Sequence, residues 1–372
     1  MKFRLPQIDW LLIVFLLPVL GAGLVTMKSF VGDTPFFSHQ LMWIGLSFLV
    51  LIFLSYFDFR FLKRTDILVI IFLVFSFLLL MLFFFGHVSN GAQSWFSFGG
   101  FFFQPSDMMK LVLILMLAKY FSRRHVEIDN FKHILISGIY AFIPFILVFL
   151  QPDFGSAIII FFIWFGMILV SGVSRKYIFM VLGVAVVSFI LLWGFVFQPY
   201  QKARIVNFIQ PLSDIRGTGY NVYQSTIAVG SGQLLGKGVG FGTQSRLRFL
   251  PEYQTDFIFA AFSEEWGFVG GVILLLLLGL ILWRIIHISL LGATNFEILY
   301  GVGLSIYFMT HFIINIGMNI GIMPVTGITL PFISYGGSHI LTEFIGLGIL
   351  MGMNKYKRVA HKDDMRNEFL GI

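Results

Sequence analysis

Apolar residues fill long stretches of this chain, separated by short segments in which Pro, Gly and charged residues concentrate. A helix needs about 20 apolar residues to cross the hydrocarbon core of a bilayer, and stretches of roughly that length recur from end to end. Such segments must satisfy their backbone hydrogen bonds internally, which favours helices. The pattern predicts an all-α polytopic membrane protein with about ten transmembrane helices, near residues 10–28, 39–57, 66–86, 106–121, 133–150, 155–171, 177–197, 257–283, 297–319 and 338–354.

Composition agrees with this fold class. Hydrophobic residues make up 58% of the 372 residues, Phe alone occurs 47 times, and the mean hydropathy is +0.91, all far above a soluble globular mixture. The first apolar run is longer than a signal-peptide core and no convincing cleavage site follows, so we interpret it as an uncleaved span. The chain has no Cys, which excludes disulfides and thiolate metal sites.

The distribution of positive charge predicts the orientation. With the N-terminus placed in the cytoplasm, most of the 25 Lys and Arg residues fall in cytoplasmic segments, and the short outer loops hold Lys28 alone. This bias accounts for most of the net charge of +7 without a nucleic-acid partner. We therefore expect one integral membrane domain over residues 1–372, with both termini cytoplasmic and a short cytoplasmic tail at 355–372.

One outer segment, residues 198–256 between the seventh and eighth spans, is unlike the others in length. A structureless loop of this size is unusual in a compact protein, so we expect it to be functional or partly structured. It carries Lys202, Arg204 and Lys237 around the glycine-rich stretch IAVGSGQLLGKGVGFGTQ. Glycine permits tight turns and close approach of the backbone to a ligand. A flexible surface loop is the alternative interpretation.

Candidate chemistry lies at the predicted outer ends of the spans. In QPSDMMK, Asp107 and Lys110 are three residues apart and share a helix face, so they are expected to pair, with Ser106 capping the helix. The pair is either a satisfied structural ion pair or part of a polar cavity open to the outer leaflet. Asp153, in the short turn QPDFGS, is better explained as a turn residue and helix cap.

Asp256, in LPEYQTDFIF, precedes another apolar segment and admits two interpretations. As a helix N-cap it would satisfy unpaired backbone N–H groups, a role that Thr255 fills equally well. As a general base it would need a partly dehydrated site that raises its proton affinity. Glu264 and Glu265 follow two turns later and must face protein or a polar cavity, because a carboxylate exposed to lipid is costly.

Residues 315–338, NIGMNIGIMPVTGITLPFISYGGS, interrupt the apolar sequence with two prolines and several glycines. Non-helical backbone at membrane depth is tolerated only when it is buried in protein or lines a cavity. The outer mouth of the protein is therefore expected to be built from at least four segments that are distant in sequence.

Five stretches in order carry a resemblance to a known family: GAQSWFSFGGFFFQPSD, QPDFGSA, GSGQLLGKGVGFGTQ, LPEYQTDFIFAAFSEEWGFVGG and MPVTGITLPFISYGGS. Through them the chain resembles the SEDS family (shape, elongation, division, sporulation), polytopic glycosyltransferases that polymerise bacterial peptidoglycan. The resemblance covers nearly the whole chain and the ten-span layout. The glycine-rich stretch, compact length and short tail are more similar to elongation-type than to division-type members.

The resemblance implies that the substrate is lipid II, that the product is a β-1,4-linked glycan strand, and that undecaprenyl pyrophosphate is released. The family's catalytic aspartate falls on Asp256, and its cavity carboxylate and lysine fall on Asp107 and Lys110. The departing pyrophosphate needs positive charge nearby. The candidates to supply it are Lys110, Lys202, Arg204 and Lys237, or a divalent cation such as Mg²⁺. Glu252 joins the substrate-binding candidates.

The resemblance also implies a bacterial cytoplasmic (inner) membrane location, and a class B penicillin-binding protein as transpeptidase partner within the elongation machinery. Three positions depart from the family pattern: Asp107 replaces the usual Glu, Gln254 the usual His, and His39 a frequent Arg. The alternatives are a division-type member, a non-catalytic scaffold, and a flippase or transporter of lipid-linked precursors. Transporters place ionisable groups near the membrane midplane, whereas here the candidate groups cluster at one face.

Overall fold

The computed structural model describes residues 8–29, 36–89, 92–98, 101–123, 131–210, 219–247 and 249–354. The predicted tail at 355–372 lies outside the described residues, as do residues 211–218 of the predicted outer loop. Every predicted span is a helix that begins within a few residues of its predicted start. These helices are α1 Trp10–Ser29, α2 Phe36–Tyr56, α3 Thr65–Phe85, α4 Pro105–Ser122, α5 Phe131–Leu150, α6 Phe154–Val170, α7 Arg175–Phe195, α11 Ile258–Leu290, α12 Asn295–Asn319 and α13 Gly337–Asn354.

Seven of the helices in the described part of the chain are long and apolar enough to cross a membrane: α1, α2, α3, α5, α7, α11 and α12. Helix α6 is also apolar but has only 17 residues. Helices α4 and α13 owe their lower apolarity to buried polar side chains, among them Lys110 and Glu343. The prediction of a nearly all-helical, multi-pass membrane protein is confirmed.

Helix α4 lies inside the bundle and α7 lies at its edge. Almost every residue of α4 from Pro105 to Ala118 is buried, on all faces of the helix. In α7 only Val181 is buried, although the helix is apolar throughout. A helix that is apolar on all faces is stable in water only when it is buried, so α7 presents its surface to lipid or to another membrane helix.

A small antiparallel sheet between α3 and α4 was not predicted. It has the order β1 (His87–Ser89), β2 (Ala92–Phe98) and β3 (Phe101–Phe103). The aromatic residues of this segment suit strands, but the runs are too short to stand out against the surrounding spans. The backbone N–H of Gln93 donates to the carbonyl of Gln151 (3.2 Å), whose side chain donates to the carbonyl of Leu79 (2.6 Å). These bonds fix the sheet over the ends of α3 and α5.

The long segment predicted to lie outside is partly structured, as expected. It contains α8 (Pro199–Ile209), α9 (Tyr220–Ser231) and the single turn α10 (Thr243–Arg246). Its glycine-rich part packs against α11, which is interrupted at Gly267 by non-helical backbone (φ 68°, ψ −166°). Gly236 also has positive φ, and a Cβ on either glycine would collide with the backbone at the other. Only glycine permits this close approach.

The two buried glutamates of α11 hold this arrangement in place. The Glu264 side chain is fully buried and accepts hydrogen bonds from the backbone N–H groups of Thr243 (2.8 Å) and Gln244 (3.1 Å). Lys237 Nζ lies 2.7 Å from the same carboxylate. Glu265 accepts the N–H of Gly240 at 3.0 Å. The prediction that both glutamates face protein is confirmed.

Candidate active site

The backbone around Asp256 is held by residues far away in sequence. The carbonyl of Asp256 accepts hydrogen bonds from the side-chain amides of Asn315 (3.0 Å) and Asn319 (2.9 Å), one turn apart near the end of α12. The Asn319 side-chain oxygen in turn accepts the N–H of Ala260 (3.0 Å) in the first turn of α11. The start of α11 is thereby fixed to the end of α12.

The two preceding carbonyls are held in the same way. Ser334 Oγ donates to the carbonyl of Thr255 (2.7 Å), and the Tyr335 N–H donates to the carbonyl of Gln254 (2.8 Å). The Gln40 side chain of α2 contacts the same turn, donating to the Ser334 carbonyl at 3.0 Å. Residues 320–336 are non-helical, and their partly buried backbone packs inside the protein, as the prolines and glycines predicted.

The Asp256 side chain does not cap a helix. Helix α11 begins at Ile258 with Phe257 in the N-cap position and no side-chain cap bond, so the capping hypothesis is wrong for both Asp256 and Thr255. Among the described residues, no hydrogen bond reaches the Asp256 carboxylate. The residue is only partly exposed, so its carboxylate is partly dehydrated and remains accessible at the surface.

The surroundings of Asp256 favour its protonated form. Burial raises the pKa of Asp256 to about 7, and the neighbouring carboxylates of Glu252 and Asp153 act in the same direction. The Arg204 guanidinium opposes them and lowers the pKa. A carboxylate with a pKa near neutrality accepts a proton more readily than an ordinary aspartate and is still largely ionised slightly above neutral pH. It is therefore suited to general-base catalysis.

Asp153 is the helix cap that the sequence predicted. Its Oδ1 accepts the N–H of Ser156 (3.0 Å) at the start of α6. Its Oδ2 accepts the side-chain amide of Gln104 (3.0 Å), and the Gln104 N–H donates to Ser338 Oγ (3.2 Å). Through Gln104, this carboxylate therefore connects the N-terminal ends of α4, α6 and α13 while contributing negative charge near Asp256.

A small pocket lies beside this cluster, between α8 and the non-helical segment before α13. Arg204 is the one charged side chain that lines it within the described chain. The remaining lining residues are largely apolar: Pro152, Phe154, Phe197, Gln201, Ile205, Pro324, Val325 and Thr326. The pocket thus combines Arg204 with apolar walls. Its lining residue Thr326 directly precedes Gly327, which lies against the Asp256 carboxylate.

The predicted Asp107–Lys110 pair forms in the buried part of α4. Lys110 Nζ lies 2.9 Å from Asp107 Oδ1, and the two side chains are only 2% and 3% exposed. Ser106 does not cap the helix, which corrects that prediction: α4 begins at Pro105 with Gln104 as N-cap, so Ser106 already lies in the first turn. His339 of α13 contacts the pair, with its Nδ1 at 3.4 Å from Asp107 Oδ2.

Of the predicted outer-loop residues, the structure brings Arg204 and Glu252 close to Asp256 and directs the two lysines elsewhere. Lys202 Nζ lies over the Trp193 ring at 5.9 Å, and Lys237 Nζ is bound to Glu264 and Thr243. Glu252, at a positive φ of 44°, forms the turn before Asp256 and accepts from Thr255. No group of three or more His, Asp or Glu side chains in the described ranges is arranged to hold a metal ion.

Sequence reasoning missed His339 and Glu343, which extend the buried pair. Their spacing of four residues, directly after a turn rich in glycine, was a usable signal of a shared helix face. It also missed Asn315, Asn319 and Ser334 as the residues that hold the Asp256 segment. Short polar side chains near the end of an apolar helix gave no indication of which backbone they would bind.

Comparison with known proteins places this fold in a family. The chain matches the FtsW/RodA/SpoVE family model, described as cell cycle protein, over residues 5–359. It is 36% identical over 366 residues to stage V sporulation protein E of Bacillus subtilis (strain 168), covering 94% of this chain and 98% of that protein. It is 41% identical over 282 residues to peptidoglycan glycosyltransferase MrdB of Escherichia coli (strain K12), 75% of each chain.

A solved structure is similar over nearly the same extent. Its TM-score is 0.82 at 28% sequence identity, covering 94% of this chain and 98% of that one. That structure is described as a peptidoglycan synthase complex in which polymerization and crosslinking are structurally coordinated.

Proposed function

This chain belongs to the FtsW/RodA/SpoVE family, the SEDS proteins, and we propose on that basis that it polymerises lipid II into β-1,4-linked glycan strands. It is a peptidoglycan glycosyltransferase, as the similar Escherichia coli protein is named. The observation that carries the proposal is the Asp256 carboxylate, whose pKa is about 7. Its backbone is fixed, while its side chain accepts no hydrogen bond from any described residue.

The proposed reaction uses Asp256 as general base. The 4-hydroxyl of the acceptor's GlcNAc attacks the anomeric carbon of the donor's MurNAc, and its proton passes to the Asp256 carboxylate. The new carbon–oxygen bond forms as the bond from the anomeric carbon to the pyrophosphate oxygen breaks. The electron pair leaves with undecaprenyl pyrophosphate. A positioned base typically contributes about 10²–10⁴-fold to such a step.

Arg204 is the proposed partner of the departing pyrophosphate. Its guanidinium lines the pocket beside Asp256, and a planar cation binds phosphate oxygens through paired hydrogen bonds. The apolar walls of the pocket suit the lipid-linked end of the substrate. Phosphate contacts by Lys110, Lys202 and Lys237 stay predictions, since their ammonium groups are engaged with other side chains. No step of the proposed mechanism passes through a metal ion.

The location we propose is the bacterial cytoplasmic (inner) membrane, with both termini in the cytoplasm and Asp256 at the outer face. The asymmetry of Lys and Arg between the short loops supports this orientation. The cysteine-free chain allows a direct test with single cysteines at Leu235, in the glycine-rich loop, and Arg60, in the turn after α2. An impermeant thiol reagent should label the first in intact cells and the second only after lysis.

We further propose a role in cell elongation together with a class B penicillin-binding protein. The glycine-rich stretch supports the elongation branch of this family. Similarity to a complex that coordinates polymerization and crosslinking supports a transpeptidase partner. Tethering the two enzymes would raise the local concentration of nascent glycan at the crosslinking site.

The test is polymerisation of lipid II by the purified protein, alone and with its cognate transpeptidase. Asp256→Asn keeps the shape of the side chain and should lower polymer formation by about 10²-fold or more. Asp58→Asn, which changes a carboxylate in the turn after α2, is the matched control and should retain activity. Near-normal polymerisation by Asp256→Asn would refute the base assignment, and translocation of lipid II without polymer would favour a transporter.

A further inference from the structure

Four ionisable side chains of alternating sign form a row through the buried parts of α4 and α13. Lys110 Nζ is 2.9 Å from Asp107 Oδ1, and Asp107 Oδ2 is 3.4 Å from His339 Nδ1. On the other side of the ring, His339 Nε2 is 2.9 Å from Glu343 Oε1. All four residues are buried, so their charges must balance one another.

The geometry indicates that His339 is an imidazolium. Each ring nitrogen lies near a carboxylate oxygen, and the protonated ring is the form that both carboxylates attract. Two cations then balance two carboxylates. The other ionisable side chains on this face within the described chain are Tyr307 and His311 of α12. The His311 ring centroid is 5.1 Å from that of His339, and its Nδ1 donates to a backbone carbonyl.

The row ends on the turn that holds the Asp256 segment. Glu343 Oε2 accepts the backbone N–H of Phe332 at 3.0 Å. Phe332 has a φ of 67°, a left-handed conformation that a bulky residue adopts only when its surroundings impose it. Two and three residues later, Ser334 and Tyr335 bind the carbonyls of Thr255 and Gln254. A continuous set of contacts therefore runs from Lys110 to the backbone next to Asp256.

We propose that His339 and Glu343 are positioning residues for the polymerisation reaction. Glu343 holds the left-handed turn at Phe332, and His339 aligns Glu343 by placing positive charge between it and Asp107. The inference rests on the proposed function in that it takes Asp256 as the base. It adds that the buried pair and the base are mechanically linked through α13.

The first test separates charge from hydrogen bonding at Glu343. Glu343→Gln removes the charge but keeps an acceptor for the Phe332 N–H, whereas Glu343→Leu removes both. We expect Glu343→Leu to lower kcat about tenfold with little change in KM, and Glu343→Gln to have a smaller effect. Thr342→Val is the matched control, because Thr342 is also buried and its hydroxyl donates to the Ser338 carbonyl within α13. Equal losses in both Glu343 variants would overturn the proposal.

The second test is rescue by a second neutral residue. His339→Gln leaves two carboxylates against one lysine, and we expect a loss of kcat of about tenfold. His339→Gln/Glu343→Gln restores charge balance and should recover activity to within about threefold of the unmodified protein. If the double variant is as impaired as the product of the two single effects, the residues act independently and the proposal is wrong.

A readout without catalysis keeps this inference separate from the proposed function. In a Gln254→Cys background, the otherwise cysteine-free chain reports the mobility of the Asp256 segment through its rate of thiol labelling. We expect labelling to be about threefold faster with Glu343→Leu than with Glu343→Gln. Identical rates would overturn the inference whatever the activity. Failure of the unmodified protein to polymerise lipid II would instead count against the proposed function.

Discussion

The pH dependence of polymerisation tests the site most directly. With a pKa of about 7, Asp256 is ionised in roughly one molecule in ten at about pH 6 and in nine in ten at about pH 8. The rate of lipid II polymerisation under kcat/KM conditions should therefore rise about tenfold over this range and then level off. An ordinary aspartate, with a pKa of 3.8, would give a flat profile there.

The two charged neighbours should move this profile in opposite directions. Glu252 raises the pKa of Asp256, so Glu252→Gln should shift the midpoint toward acid pH. Arg204 lowers the pKa, so Arg204→Gln should shift the midpoint toward alkaline pH, in addition to any loss of phosphate binding. Asp58→Asn, placed elsewhere, should leave the midpoint unchanged. A flat profile, or shifts of the same sign for both neighbours, would refute the electrostatic reasoning.

The same pKa shift should make the stability of the fold decrease with rising pH, whereas the polymerisation rate increases. The folded-state pKa lies above the ordinary value of 3.8, so folding favours the protonated form of Asp256. That stabilisation is fully present below about pH 3.8, the ordinary pKa of aspartate. It falls as the pH rises from there and is lost once the pH has passed the folded-state pKa of about 7. Asp256→Asn removes the loss, so it should raise the unfolding temperature at about pH 8 while lowering polymer formation by about 10²-fold or more. An unfolding temperature lower than that of the unmodified protein would contradict this account.

Three further predictions concern the supporting contacts. Glu264→Ala leaves partly buried N–H groups and Lys237 without their shared, fully buried acceptor, and should destabilise the fold by about 3–5 kcal/mol in thermal unfolding, well beyond Lys237→Ala. Asn319→Ala removes one of two donors to the Asp256 carbonyl, and should lower kcat more than it raises KM in the lipid II assay. Asp107→Ala and Lys110→Ala should each lower the free energy of unfolding by about 3–5 kcal/mol in a denaturation experiment. The double variant should lose at least about 1 kcal/mol less than the sum of the two single losses. Strictly additive losses would show that the two side chains do not interact.

The features that the sequence predicted well are those encoded locally. Apolar run length located the ten helices, and the spacing of Asp107 and Lys110 predicted their ion pair, since both follow from helix geometry alone. Buried Glu264 and Glu265 followed from the cost of placing charge in lipid. Each of these arguments needs only the residues of one helix and the nature of its solvent.

The features that escaped prediction depend on which elements meet. The contact between His339 and Asp107 joins α13 to α4, more than two hundred residues apart, and no periodicity encodes it. Asp256 could be taken for a cap because its sequence context suits one, and only the actual start of α11 decides the matter. The sheet at His87–Phe103 was hidden by its short strands.

The Asp256 segment is held through its backbone, so the residues that hold it should tolerate substitution less well than the side chains beside Asp256. Asn315, Asn319 and Ser334 bind main-chain carbonyls, which every amino acid possesses. These hydrogen bonds therefore do not involve the side chains of Gln254 and Thr255. We therefore expect substitutions of the Gln254 and Thr255 side chains to be tolerated better than substitutions of the residues that hold this segment. The backbone path to Asp256 therefore does not depend on which side chain stands at Gln254, whose carbonyl accepts the N–H of Tyr335.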